Sequence, residues 1–186
     1  MHAKNIPNDT APILNEIDGG FLSNETGSII RGESNLDLCY AISLVHPQEV
    51  SLYQVGDGVF NPPTNNKSLD AIDRPYCTFE GSDNSDWDAI YPHDASIKDA
   101  YTSEPMCGAY NATNIISVLY GHNEGDRPDS YTARECMEYI KLGLMGVTVL
   151  FASGGIEVSG LNGWYTMHNG APTPVGVTFG RLNPCE

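Results

Sequence analysis

The chain of 186 residues is strongly acidic, since 24 Asp and Glu residues against 9 Lys and Arg give a formal net charge of -15. This charge argues against a general nucleic-acid binder, because the phosphate backbone would be repelled. A hydrophobic content of 40% is typical of one globular domain with its own core. No apolar run is long enough for a membrane helix, so we expect no membrane partner.

The first third of the chain predicts one helix and one strand. Residues 1–31 are interpreted as loop-like, because polar and glycine-rich patches surround a single short apolar run. The stretch GESNLDLCYAISLVHP predicts an amphipathic helix that begins at a capping box, Ser34-x-x-Asp37, and ends before Pro47. Its apolar positions are Leu36, Tyr40, Ile42, Leu44 and Val45. Residues 49–56 predict the strand.

The middle of the chain, residues 57–113, is rich in Asn, Asp, Gly, Pro and Ser and predicts a long surface excursion around a short helix, Leu69–Ile72. Cys77 and Cys107 flank an acidic loop in it, and a disulfide between them would close that loop. The loop's aspartates, which include Asp88, are interpreted as solvated. The spacing of a calcium loop is missing, so we expect no metal there.

The second half of the chain predicts a β-α-β unit. Residues 114–121 and 147–151 are apolar and β-branched and predict strands, and residues 127–146 between them predict a helix. Such a unit should form a right-handed parallel crossover. The apolar stripe of the helix is Ala133, Met137, Ile140 and Leu144. With an irregular tail over 152–186, the chain predicts an α/β fold whose sheet is incomplete at the C-terminal side.

Cysteines and sequons favour a secreted, oxidising setting. The five cysteines form no zinc-type pair. Cys39 lies among apolar helix positions and is predicted to be a buried thiol, whereas Cys136 and Cys185 are candidates for disulfides within or outside this chain. Four N-x-S/T sequons begin at Asn8, Asn24, Asn66 and Asn111. The first residues lack the apolar core of a secretory signal.

Glu33 and Asp37 are four residues apart on the first predicted helix, so they share a face one turn apart. Two carboxylates that close can share one proton, which couples their titration. A general base of this kind works in acid, where a histidine is protonated. The spacing alone fits equally an ordinary helix start, where acidic residues are stabilised by the helix dipole.

Four segments occur in an order that resembles a known family. They are GESNLDLCYAISLVHPQEVSLYQVGD, LDAIDRPYCTFEGSD, CGAYNATNIISVLYGHNEGD and CMEYIKLGLMGVTVLFASGG. Over most of residues 11–160 the chain resembles the sedolisin family of serine-carboxyl peptidases, especially the secreted fungal tripeptidyl-peptidase type. The resemblance implies a subtilisin-like α/β fold with a predominantly parallel sheet flanked by helices. It also implies cleavage of peptides at acidic pH, with release of tripeptides from free N-termini.

The resemblance assigns roles to particular residues. Glu33 falls on the family's glutamate, which activates the nucleophilic serine, and Asp37 falls on the aspartate that orients it. Ser117, Tyr120 and Gly121 lie in the strand SVLYG, where the family binds the substrate backbone as an added strand. Peptides are therefore the expected substrates or ligands.

The chain departs from the family at two points. Gly155 in Ser153-Gly154-Gly155 replaces the family's oxyanion-hole aspartate, and the loss of one such donor typically costs about 3–4 kcal/mol. The family's Gly-Thr-Ser nucleophile motif is absent from the residues after Gly155. The family's calcium site also lies further along than this chain, so we expect no cofactor in it.

These observations predict a partial sedolisin-like peptidase domain over residues 1–186, truncated before the nucleophilic serine and inactive alone. Two alternatives stay open. The chain is active once a missing C-terminal portion is supplied, or it is a secreted, non-catalytic module that binds peptides by its substrate strand.

Overall fold

A computed structural model describes residues 6–22, 29–59, 65–77, 84–119, 127–152, 165–166 and 172–173. The chain divides into two compact units. The first comprises Met1–Asn61 with Tyr91–Pro105, and the second comprises Pro62–Ile90 with Met106–Glu186. Both contain parallel strands joined through a helix, so the α/β class predicted from the sequence is confirmed.

The first unit is built on a β-α-β crossover made of β1 (Ile13–Ile17), α1 (Ile29–Val45) and β2 (Ser51–Val55). β1 and β2 pair in parallel, with Ile17 opposite Val55. β1 contradicts the prediction that residues 1–31 are loop-like. Its sequence, ILNEI, places two adjacent polar residues between apolar ones. The apolar and polar residues therefore do not alternate, and the sequence pattern does not indicate a strand.

Helix α1 ends where the sequence predicts, because Pro47 cannot continue it. Its beginning differs, since Ile29 precedes Ser34 by more than one turn and Ser34 is therefore no cap. Cys39 of α1 is exposed, so the prediction of a buried thiol is wrong. The other exposed residues among the described side chains of α1 are Ser34, Asn35, Leu36, Tyr40, Ser43, Leu44 and Val45.

The second unit contains α2 (Asn66–Ile72), β3 (Ile115–Val118), α3 (Asp129–Leu144) and β4 (Thr148–Phe151). β3 and β4 pair in parallel on either side of α3 in sequence, which confirms the predicted β-α-β unit. Within the predicted irregular tail, two-residue strands β5 (Tyr165–Thr166) and β6 (Pro172–Thr173) form an antiparallel pair.

The core of the second unit joins α2, α3 and β4. Its buried members are Leu69, Tyr76, Tyr139 and Leu142. The ring of Tyr139 packs edge-on against Phe151 of β4, with centroids 4.9 Å apart. Because side chains alternate along a strand, Val149 and Phe151 of β4 pack against this core, together with Val147 just before the strand.

A disulfide joins Cys77 to Cys107, the pair that flanks the acidic loop, with the two Cα atoms 5.5 Å apart. Closing a loop of 30 residues restricts the unfolded chain and stabilises the fold by about 3–4 kcal/mol. Cys136 is disulfide-bonded as well, and Cys185 lies outside the described residues.

Part of the predicted surface excursion is buried, so that prediction is wrong for the buried side chains within residues 65–77 and 84–91. The side chains concerned are Asn65, Asn66, Lys67, Leu69, Asp70, Ala71, Tyr76, Asp88, Ala89 and Tyr91. Some of the polar ones are paired. The Tyr76 hydroxyl donates to Asn66 Oδ1 at 2.5 Å, and Lys67 lies 3.7 Å from the carboxylate of Asp70. Paired polar groups tolerate burial, which composition alone cannot indicate.

The predicted core stripe of α3 lies on the exposed face. Leu144 is 85% exposed and Met137 64%, whereas the buried residues are Tyr131, Glu135, Glu138, Tyr139 and Leu142. The Tyr131 hydroxyl and the Arg134 guanidinium of α3 donate to Asp88 and Asn66, so the packed side of α3 combines aromatic rings with charged groups. None of the helices that the structure describes is long and apolar enough to cross a membrane.

Candidate functional site

Helix α1 carries both carboxylates of the predicted catalytic pair. It is continuous from Ile29 to Val45, so Glu33 and Asp37 lie one turn apart on the same face. Asp37 is half-buried, as are Leu38, Ala41 and Ile42 beside it, and this strip forms the less exposed side of α1. The Glu33 side chain lies outside the described part of the structure. A carboxylate on such a strip is partly removed from water while its backbone is fixed by the helix.

Strand β3 carries Ser117 of the predicted substrate strand. The side chains alternate, so that Ile115 and Ser117 are exposed while Ile116 and Val118 are half-buried. β3 pairs with β4, and among the described strands its other edge has no partner. A free edge offers main-chain donors and acceptors to an extended peptide. Tyr120 and Gly121 lie outside the described residues.

Strand β4 leads towards Gly155. The parallel pairing with β3 continues one residue past the strand, where the Ala152 amide donates to the Val118 carbonyl at 3.0 Å. Gly155 follows three residues later in the chain and lies outside the described residues. The predicted oxyanion position is a glycine in the sequence and has no side chain to donate.

Comparison with curated proteins gives matches over most of the chain. It is 44% identical over 165 residues to Aorsin of Aspergillus oryzae, which covers 85% of this chain and 24% of that protein. It is 38% identical over 148 residues to Tripeptidyl-peptidase SED1 of Arthroderma otae, covering 77% of the chain and 21% of the relative. Tripeptidyl-peptidase sed1 of Aspergillus fumigatus is 37% identical over 177 residues, or 92% and 25%. The chain belongs to the sedolisin family.

The chain spans about a quarter of the length of these sedolisin relatives. No family model matches the chain, and no solved structure matches it. Membership of the sedolisin family therefore rests on the sequence identity to these three fungal proteins, together with the ordered segments that contain Glu33, Asp37 and β3.

This sedolisin-family chain also contains a buried charged cluster that the sequence did not reveal. The Tyr131 hydroxyl donates to Asp88 Oδ1 at 2.7 Å, and Arg134 Nη2 donates to Asn66 Oδ1 at 3.0 Å. Asp88 is 1% exposed, so its interpretation as a solvated loop residue is wrong. The guanidinium of Arg134 also lies over the Tyr131 ring, 5.0 Å from its centroid. We call this set, with Glu135, the α3 cluster.

Glu135 is the member of the α3 cluster whose charge is most disfavoured. It is 5% exposed, and in the described part of the structure its Oε1 atom accepts no hydrogen bond. Burial raises the pKa of Glu135 to about 7, and the negative charge of Asp88 adds to this, while Arg134 and Arg127 act in the opposite direction. The carboxyl group is therefore neutral in acid. The one signal available in the sequence was the spacing of Tyr131, Arg134 and Glu135 on one helical face.

The first unit has a second polar cluster, around Asp57 at the end of β2. Its carboxylate accepts the amide of Tyr101 at 2.8 Å and that of Val59 at 3.0 Å, and His93 Nε2 lies 3.3 Å away. The Tyr91 ring packs edge-on against both His93 and Tyr101. Asp57 thus ties the loop 91–101 to the sheet of its unit. Among the described residues no group of three or more His, Cys, Asp or Glu is placed to hold a metal ion.

Proposed function

We propose that this chain is the part of a secreted, acid-acting serine-carboxyl peptidase of the tripeptidyl-peptidase type that carries the general base and the substrate strand. The observation that carries the proposal is the placement of Glu33 and Asp37 one turn apart on α1, in a chain up to 44% identical to Aorsin and related to two tripeptidyl-peptidases. The parallel β-α-β units are consistent with a subtilisin-like fold.

In the proposed mechanism Glu33 is the general base. It takes the proton of the attacking serine hydroxyl and returns it to the leaving amine. Asp37, which is half-buried on α1, orients Glu33 in this proposal. A carboxyl pair keeps one member ionised in mild acid, where an imidazole base would be protonated.

The substrate lies along β3 in this proposal. An extended peptide pairs its main chain with the open edge of β3 around Ser117, and Tyr120 and Gly121 complete the same strand in sequence. Main-chain pairing accepts many side chains, which suits an enzyme that removes short peptides in succession from an N-terminus. No cofactor is required within these residues.

The 186-residue polypeptide is proposed to be inactive by itself. It contains no Gly-Thr-Ser motif, and Gly155 supplies no side-chain donor to the oxyanion. A base without a nucleophile performs no acyl transfer, and the missing donor alone costs about 3–4 kcal/mol of transition-state stabilisation. Its functional partner is a polypeptide segment bearing the nucleophilic serine.

Turnover in acid tests this proposal. The purified chain is incubated at acidic pH with a tripeptide-anilide, alone and with a separately produced relative-derived segment that bears Gly-Thr-Ser. We expect no release of the anilide by the chain alone and measurable release by the mixture, which Glu33→Gln abolishes and Gly155→Asp increases. Release by the chain alone would contradict the claim of inactivity. A mixture that Glu33→Gln leaves unchanged would contradict the role of Glu33.

A second candidate function is favoured by the open edge of β3. As a non-catalytic secreted module, the chain would hold peptides on this edge without cutting them. Peptide affinity measured by fluorescence anisotropy separates the two functions. Binding that is unaffected by Glu33→Gln, together with no cleavage by any mixture, would favour the binding module.

A further inference from the structure

The four sequons of the chain differ in their exposure. Asn8 lies in a turn closed by the bond from the Thr10 amide to the Pro7 carbonyl, and Asn8 is exposed. Asn111 is exposed as well, in the irregular stretch before β3. Asn66 is completely buried, with 0% of its surface exposed. Asn24 lies outside the described residues.

Asn66 is unsuited to carry an oligosaccharide. The bond to a sugar forms at the amide nitrogen, and Nδ2 of Asn66 is buried and without a hydrogen-bond partner among the described residues. Oδ1 of the same amide accepts from the Tyr76 hydroxyl and from Arg134 Nη2, which fixes the side chain facing inwards. A bulky, hydrated glycan on this nitrogen would need the α2–α3 packing to open.

The sequon at Asn111 is exposed, in contrast to the one at Asn66. Its backbone is held on both sides, because the Tyr110 amide donates to the Ala71 carbonyl at 2.9 Å and the Thr113 hydroxyl donates to the Ile115 carbonyl at 2.8 Å. The Asn111 side chain is exposed between these two anchors, so a glycan there displaces no core residue.

We propose that Asn8 and Asn111 carry N-linked oligosaccharides and that the sequon at Asn66 is unmodified in the folded protein. The reaction transfers an oligosaccharide from a lipid-linked pyrophosphate donor, supplied with its transferase by the secretory pathway. The bond between the anomeric carbon and the pyrophosphate oxygen breaks, and a bond from that carbon to Asn Nδ2 forms. The amide loses one proton and the lipid pyrophosphate leaves.

The proposal depends on passage through the secretory pathway, which the experiment imposes separately. The chain is expressed in yeast behind a host leader, and cell-associated and secreted material are both collected. Enzymatic removal of the glycans in heavy-oxygen water converts each modified Asn into a labelled Asp, and peptide mass spectrometry locates the labels. Because the leader is supplied, a negative result at Asn111 concerns the site and leaves the native localisation aside.

Labelled aspartate at positions 8 and 111, with Asn66 recovered as unlabelled asparagine, is the expected result. Thr10→Ala and Thr113→Ala should each remove one step in electrophoretic mobility, whereas Thr113→Ser keeps its sequon and its step. Ser68→Ala, which destroys only the sequon at Asn66, should leave the pattern unchanged. Label at position 66 in the secreted protein, or none at position 111 in either fraction, would overturn the proposal.

Discussion

Residues 13–55 and residues 115–151 each place a helix between two parallel strands, and the helices are nearly equal in length, 17 residues in α1 and 16 in α3. Their burial differs. Among the α1 residues whose side chains are described, none is buried, whereas α3 buries five. The same sequence pattern therefore produces the same topology, while the partner surface decides which residues the helix buries.

The two regions also differ in the charges that they bury. Helix α3 removes Glu135 and Glu138 from water and contributes to the core around Leu142. Helix α1 keeps Asp37 half-buried. Substitutions in the two regions test this difference in burial.

Two leucines of α3 give the sharpest test of its orientation. Leu142 is 1% exposed and Leu144 is 85% exposed. Leu142→Ala should lower the free energy of unfolding by about 2–5 kcal/mol, because it leaves a cavity in the core of the second unit. Leu144→Ala should change it by less than about 0.5 kcal/mol. Urea denaturation followed by tryptophan fluorescence measures both. Equal losses, or a larger one at Leu144, would mean that the exposed stripe of α3 is its packed face.

The pH dependence of stability tests the α3 cluster. Burial and Asp88 raise the pKa of Glu135 from 4.5 to about 7, so the ionised form is disfavoured in the folded state. The contribution of this group to stability is complete below its unfolded pKa and decreases as the pH rises through the folded one. The decrease amounts to about 3 kcal/mol between those two pH values.

Glu135→Gln keeps the shape of the side chain and removes its charge. We expect the denaturation midpoint of the variant to vary less between pH 4.5 and 7 than that of the unchanged chain, with the largest gain at the upper end. Glu49→Gln, at an exposed position outside the helices, is the matched control and should leave the profile unchanged. If Glu135→Gln and the unchanged chain had identical pH profiles, this carboxyl group would not govern the pH dependence of stability.

Asp57 provides a corresponding test in the first unit. Its side chain is 2% exposed and accepts two backbone amides, so Asp57→Asn replaces one accepting oxygen by a donor and removes the carboxylate charge beside His93. We expect a loss of about 2 kcal/mol in the free energy of unfolding. Asp99→Asn is the control, because the side chain of Asp99 is 63% exposed. A loss no greater than that of the control would show that Asp57 does not hold the loop 91–101.

The sequence predicted the elements that have strong local patterns. The runs that became β3 and β4 are apolar and β-branched, and the end of α1 follows from Pro47, so these were predicted correctly. The face of α3 was predicted wrongly, because periodicity counts apolar residues and cannot see that Asp88 and Asn66 lie opposite. β1 was missed since its five residues include two polar ones. Local sequence patterns therefore predict the order of helices and strands. They do not predict which polar groups are buried, because that depends on partners far away in the sequence.

The functional residues also include some that the sequence predicted and some that it did not. Glu33 and Asp37 were placed on one helix face by spacing alone, and a continuous α1 agrees with that placement. Their roles, and those of Ser117 and Gly155, come from the family resemblance and stay predictions. The α3 cluster could not be predicted, because its members come from α2, from α3 and from the loop around Asp88, which are far apart in the sequence.

The absence of an activated nucleophile is tested most directly by covalent labelling of the 186-residue chain with a peptidyl fluorophosphonate probe in mild acid. Mass spectrometry then locates any labelled peptide. We expect that no serine or threonine hydroxyl in the chain is labelled, because Glu33 and Asp37 have no nucleophile to activate. A labelled hydroxyl that is lost on Glu33→Gln, and retained on the control Glu49→Gln, would contradict it.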